Sequence, residues 1–247
     1  MMRNFKLTLC YDGTRYRGWQ KQGNTDNTIQ GKLEALLSKL LGQPTELAAS
    51  GRTDAGVHAE KQVCSFRADT DESAEALLRR LRAALPEDIG ALALEEASPR
   101  FHARLTCTGK TYRYRIWTSE APCVFERRWV WPLREALDTE AMRRAAAAMC
   151  GSHDFASFCG NPRMKKSTVR TLRSVKIEET ENELRLFFTG DGFLMHMVRI
   201  LTGTLVEVGA GRLKPEDMAG ILAARSRAAA GPAAPAKGLA LTDVEYE

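Results

Sequence analysis

"SVKIEETENELRLFFTG", Ser174 to Gly190, holds two alternating apolar and polar runs on either side of an acidic turn. Period-two alternation marks a half-buried strand, and two adjacent runs of this kind form a hairpin. Hairpin strands are antiparallel, so the chain is not a plain series of βαβ repeats. Toward the C-terminus, "GFLMHMVRILTGTLVEVG" (192–209) sets Leu194, Val198, Leu201, Leu205 and Val208 in helical register. "KPEDMAGILAA" (214–224) is a shorter helix with Pro215 near its first turn. Residues 228–236 read as a flexible loop, and "GLALTDVEY" (238–246) as a last strand. Toward the N-terminus, "DTEAMRRAAAAMCG" (138–151) is a helix with a capping signal and a closing glycine. "CTGKTYRYRIW" (107–117) is a strand with Tyr112, Tyr114 and Ile116 on one face and Arg113, Arg115 and Trp117 on the other.

The first hundred residues repeat the style. "FKLTLCY" (5–11) is a half-buried strand. A helix over about 28–41 carries the stripe Ile29, Leu33, Leu36, Leu37, Leu40 and Leu41, with capping oxygens in "TDNT". "KQVCSF" (61–66) is a strand, and a helix over about 72–85 carries Leu77, Leu78, Leu81 and Leu85 and stops at Pro86. "ALALEEA" (91–97) is a third strand. The expected class is α+β: two similar lobes, 1–98 and 99–247, with helices packed on a largely antiparallel sheet. An active-site cleft between the lobes would suit a long ligand.

The chain has 247 residues, 44% hydrophobic and 27% charged, as an ordinary globular protein should be. No apolar stretch approaches the length of a membrane span, and "MMRNFKLTLCYDG" lacks the marks of a signal peptide, so a cytoplasmic location is expected. The cysteines at 10, 64, 107, 123, 150 and 159 form no C-x-x-C pair and read as reduced thiols. The histidines (58, 102, 153 and 196) are scattered, which argues against a metal. Net charge is a modest +5, but it is sorted. Residues 97–119 hold five Lys/Arg and no acid, residues 155–177 six and no acid, and the remainder has 25 basic against 31 acidic residues. Clustered cations of this kind suit a polyanion.

"GRTDAGVHA" (51–59) sets one acid, Asp54, between Gly51 and Gly56 with Arg52 two residues before it. A free aspartate is ionised at neutral pH and cannot serve as a general acid. It can be a nucleophile, a base, a metal ligand or half of a salt bridge. Glycines allow a turn to push the side chain out, whereas the bland reading is a loop stabilised by an Arg–Asp contact. Metal ligation lacks neighbouring carboxylates or histidines. Tyr112 reads as a core aromatic on a strand and Arg199 as an arginine on an amphipathic helix, although Val198 and Ile200 beside it argue for partial burial.

"GRTDAGVHA" resembles the signature of the tRNA pseudouridine synthase A family, whose members modify uridines 38, 39 and 40 of the anticodon stem-loop. The resemblance extends to "YDGTRYRGWQKQ", "TIQGKLE", "FHARLTCTGKTYRYRI", "GSHDFASF", "TVRTL" and "GDGFLMHMVRILTGTLVEVG", nearly the whole chain. Met195 stands where an aromatic is common, and Ala240 where tyrosine is frequent. The resemblance implies an isomerase that breaks the C1′–N1 bond, turns the uracil and joins C5 to C1′, with no cofactor. It implies that Asp54 is the essential acid, attacking C1′ or C6 or acting as a base. Tyr112 is then the pocket tyrosine against a flipped base, and Arg199 the arginine that pairs with Asp54. Arg52 would contact the stem or a phosphate, and a homodimer would share one tRNA. Arg113, Arg115, Lys165, Lys166 and Arg170, in the cationic windows, would grip the RNA backbone by shape. Two other readings remain: a non-catalytic RNA-binding protein on this scaffold, and a hydrolase with an Asp nucleophile, which lacks a partner base or metal set.

Overall fold

A computed structural model describes residues 2–161 and 163–247. The chain falls into two compact units, one running to Thr108 and completed by Ala240–Glu247, the other Gly109–Leu239. A division at 98/99 was expected. The difference at the C-terminus arises because the last strand returns to pair in the first unit.

In the first unit, β1 (Met2–Tyr11) lies between β3 (His58–Asp69) and β4 (Ile89–Glu96), antiparallel to both. The alternation expected of this strand is present, for Phe5, Leu7, Leu9 and Tyr11 are all buried. The short β2 (Ala48–Ala49) is antiparallel to β3. The last strand, β10 (Leu239–Tyr246), runs parallel to β3, with Ala240 opposite His58. Helix α1 (Ile29–Leu41) starts where the Thr28 side chain accepts a bond from the Gly31 amide, and ends at Gly42 in the left-handed region. It buries Ile29, Leu33 and Leu37. Helix α2 (Ala74–Ala84) is capped by Ser73 and buries Leu77 and Leu81.

In the second unit, β5 (Cys107–Trp117) is antiparallel to β9 (Glu183–Gly190), and β9 to β8 (Val169–Glu179). The hairpin read from Ser174–Gly190 is therefore real, with Glu179 opposite Leu184. Two strands were not expected: β6 (Trp131–Pro132), parallel to β5, and β7 (Gly151–Asp154), antiparallel to β8. Helix α3 (Thr139–Met149) is capped by Asp138 and carries Ala141, Met142, Ala145 and Met149 inward. Helix α4 (Met197–Gly209) begins five residues later than its periodicity suggested, because His196 takes a left-handed backbone (φ 60°). Helix α5 (Asp217–Ala224) follows. The α+β class and the largely antiparallel pairing are as expected.

The 228–236 segment is not the free loop that its small residues suggested. The Ala234 amide donates to the Arg199 carbonyl (2.9 Å), the Gly231 amide to Thr204 Oγ1 (3.0 Å), and the Tyr114 hydroxyl to the Pro235 carbonyl (2.7 Å).

Candidate active site

Asp54 is half-buried on the connection from β2 to β3. Its carbonyl accepts from the Val57 amide (3.1 Å), closing a tight turn in which Gly56 takes φ 75°. Of the two flanking glycines, only Gly56 uses the left-handed freedom. The loop is clamped from both sides. Buried Thr53 exchanges a hydrogen bond with the Tyr11 hydroxyl (2.8 Å), and burial pushes that phenol well above its ordinary pKa. Fully buried Gln62 donates to the Gly51 carbonyl (3.1 Å) and accepts from Ser50 Oγ (2.6 Å).

The clamp's other jaw is the "YDGTRYRGW" segment. The Trp19 amide donates to the Thr53 carbonyl (3.0 Å). Gly18, at φ 93°, lies so close that a Cβ there would stand 2.9 Å from the Thr53 carbonyl oxygen and 3.2 Å from the Asp54 carbonyl carbon. His58, with no role assigned from sequence, accepts the Gly13 amide at Nδ1 (3.1 Å), and Asp12 Oδ1 lies 3.2 Å from the same nitrogen. It is a structural histidine that ties this segment to the end of the Asp54 loop. Trp19 is buried beside Tyr11, whereas Trp129 is exposed. Tyr11, Gln62, Ser50 and Gly18 escaped the sequence reading. The period-two alternation that placed Tyr11 inward gave no sign that its hydroxyl had a partner.

Arg52 is exposed and forms no ion pair among the described residues, so the bland reading of an Arg52–Asp54 contact does not hold.

In the second unit, Tyr112 is buried on β5 with its ring edge-on to Phe193 (centroids 5.0 Å, 81°). Arg199 sits in the first turn of α4, half-buried between buried Val198 and Ile200, as expected. Its Nε donates to the Ala234 carbonyl (2.8 Å). Since Tyr114 binds the neighbouring Pro235 carbonyl, the 234–235 segment bridges β5 to α4. Burial raises the Tyr114 phenol far above its usual value, and the nearby Arg199 cation opposes this in part.

Arg113 is half-buried on the other face of β5. Arg115 is committed to carboxylates: its Nε donates to Glu183 (2.8 Å) and its other arm to Glu126. A guanidinium neutralised in this way is a structural ion pair, not the backbone contact expected of it. Lys165 and Lys166 are exposed between β7 and β8, and Arg170 is half-buried with its guanidinium on the Ser167 and Val169 carbonyls. Among the described residues no three of His, Cys, Asp and Glu come together as metal donors would, and no helix is long and apolar enough to cross a membrane.

The family model described as tRNA pseudouridine synthase matches residues 9–104 and 145–247. The chain belongs to the tRNA pseudouridine synthase family. It is 47% identical to tRNA pseudouridine synthase A of Moorella thermoacetica over 98% of both chains. To tRNA pseudouridine synthase A 2 of Bacillus anthracis it is 42% identical, over 99% of this chain and all of that one. To tRNA pseudouridine synthase A 1 of Clostridium tetani it is 43% identical with the same coverage. A solved Cbf5-Nop10-Gar1 complex aligns at 11% identity and a TM-score of 0.40, over 96% of this chain and 48% of that one. Membership in this family makes the chain an isomerase acting on tRNA uridine. The two matched stretches contain the Asp54 loop and α4, whereas Tyr112, Arg113 and Arg115 lie between them.

Proposed function

We propose that this protein converts uridine to pseudouridine at positions 38, 39 and 40 of the tRNA anticodon stem-loop, with Asp54 as the reacting group. The observation that carries the proposal is the Asp54 loop itself. A half-buried carboxylate stands on a tight turn whose neighbours are locked by hydrogen bonds to the buried side chains of Tyr11 and Gln62. A chain that only binds RNA has no use for so much fixing around one acid, whereas a reacting carboxylate must be held in position.

In the proposed reaction the target uridine leaves the stem, at a cost of a few kcal/mol, and stacks on Tyr112. The Asp54 carboxylate attacks C1′ or C6, or takes a sugar proton. The C1′–N1 bond breaks, the uracil turns, C5 bonds to C1′, and the C5 proton is lost to solvent as N1 gains one. Atoms and electrons balance without a redox partner. Arg199 pairs with Asp54 and aims its carboxylate. Arg52, Arg113, Lys165, Lys166 and Arg170 hold the RNA backbone. A homodimer in the cytoplasm, sharing one tRNA between subunits, completes the proposal.

The test is incubation of the purified chain with unmodified tRNA, without metal or nucleotide, followed by mapping of pseudouridine in the anticodon arm. Asp54→Asn abolishes turnover and keeps tRNA binding. A variant that still converts uridine at the normal rate would refute the role of Asp54.

A further inference from the structure

The second unit carries a pocket of about 630 Å3, of whose lining only Lys165 and Lys166 have a role proposed above. One wall is the segment between β7 and β8, with Lys165, Lys166 and Thr168. The other is the turn leaving α5, with Arg225 and Arg227. Four cations thus face a single carboxylate, Asp154. That carboxylate is largely used: Oδ1 accepts from Thr168 Oγ1 (2.5 Å) and the Ala156 amide (3.1 Å), and Oδ2 faces Arg225 Nε (3.2 Å). Lys165, Lys166 and Arg227 have no carboxylate within 4.0 Å among the described residues.

The Arg225–Arg227 turn is held in place. Fully buried Ser157 donates to the Ile221 carbonyl (2.7 Å) and accepts from the Ser226 amide (2.9 Å), tying the turn to the residues that follow β7. Arg225 itself adopts φ 47°, a left-handed backbone that costs a non-glycine residue about 1 kcal/mol or more. Arg225 takes this backbone as the cap that ends α5, and the turn brings it to the rim of an already cationic pocket, where stability alone would disperse the charges. The volume exceeds one phosphate and suits a stretch of phosphodiester backbone. Lysines can act there as point charges and arginines as forks on the non-bridging oxygens.

We propose that this pocket binds backbone phosphates of the tRNA, with Arg225 and Arg227 as recognition residues alongside Lys165 and Lys166. The proposal rests on tRNA being the substrate, and extends the contact surface to a turn whose sequence gave no such sign.

The experiment measures tRNA affinity of the full-length protein between 50 and 200 mM salt, for wild type and for the double variant Arg225→Asn/Arg227→Gln. Asparagine tolerates the left-handed backbone, and a thermal melt checks folding. Each lost phosphate contact lowers the slope of log K against log salt by about 0.7 to 0.9. The double variant loses about 1.5 in slope and about tenfold in affinity at the lower salt, and Arg225→Lys/Arg227→Lys recovers most of both. A folded double variant with the wild-type slope and affinity overturns the proposal. If the double variant loses binding of inorganic phosphate by calorimetry yet keeps the tRNA slope, the pocket serves a small phosphorylated molecule, and the RNA assignment is overturned. Binding is read without turnover. A chain that binds tRNA through this pocket but makes no pseudouridine refutes the proposed function and leaves the pocket standing.

Discussion

Replacing Gly18 by alanine separates the shape of the Asp54 loop from the stability of the chain. An L-residue at φ 93° pays a strain of about 1–2 kcal/mol. Its Cβ would also stand 2.9 Å from the Thr53 carbonyl oxygen, 3.1 Å from the Ala55 nitrogen and 3.2 Å from the Asp54 carbonyl carbon. All three are backbone atoms of the Asp54 loop and cannot turn aside as a side chain would. Overpacking of this kind adds about 1–3 kcal/mol. The melting temperature falls by about 2–4 °C for each kcal/mol in a chain of this size. The loop relieves the clash by moving, and a displacement approaching 1 Å costs about a hundredfold in rate. The matched control is Gly42→Ala, at φ 68° with nothing within 4 Å, which pays the backbone strain alone. Single-turnover pseudouridine formation is measured well below both melting temperatures. Gly18→Ala loses ten- to a hundredfold, and Gly42→Ala reacts as wild type does. A folded Gly18→Ala protein with the wild-type rate would show that the loop's position does not govern the chemistry.

Three further outcomes follow from the side chains. Burial holds the Tyr11 and Tyr114 phenols above their ordinary value of 10.0, so the folded chain keeps protons that the unfolded chain releases. Their stability contribution is complete below pH 10 and is lost as pH rises beyond it, by up to about 1.4 kcal/mol per pH unit for each group. Denaturant midpoints between pH 8 and 11.5 show this decline, and it is shallower in Tyr11→Phe/Tyr114→Phe; an equal decline in that variant rejects the assignment. Arg115→Ala leaves the nearly buried Glu183 with Arg185 alone and destabilises the chain by about 3 kcal/mol, while the salt slope of tRNA binding stays at the wild-type value. A lower slope would return Arg115 to the RNA surface. If Asp54 and Arg199 act as a pair, Asp54→Asn/Arg199→Ala is no slower than Asp54→Asn by itself, and additive losses in single-turnover rate would separate them.

The fold was legible where a local pattern determines a local structure. The 174–190 hairpin announces itself by period two and a turn, and α1 and α2 by apolar stripes with Thr28 and Ser73 as caps. Strand β7, "GSHD", was hidden because a short polar strand at the outside of a pairing has no apolar alternation to show. The early start read for α4 has a more general cause. Leu194 keeps the helical spacing and is buried, yet it precedes the left-handed His196. Periodicity reports which residues face inward, not the dihedral angles that take them there. Composition misled at 228–236 for a related reason, since the groups that fix Gly231, Ala234 and Pro235 are Thr204, Arg199 and Tyr114, all remote in sequence.

The same limit applies to the Asp54 loop. The glycines and the acid of "GRTDAGVHA" mark the candidate site, and Arg52 offers an obvious local stabiliser. Yet Arg52 is exposed and unpaired among the described residues, whereas Tyr11 and Gln62 on the flanking strands hold Thr53 and Gly51. An exposed arginine beside the acid would contribute little to the loop, about 1 kcal/mol at most and less in salt. Buried bonds to a hydroxyl and an amide are not screened, and breaking one leaves a desolvated partner at about 1–3 kcal/mol. The rigidity of the loop therefore comes from the sheet beneath it, which leaves Arg52 with its charge unspent at the surface, where a phosphate can take it.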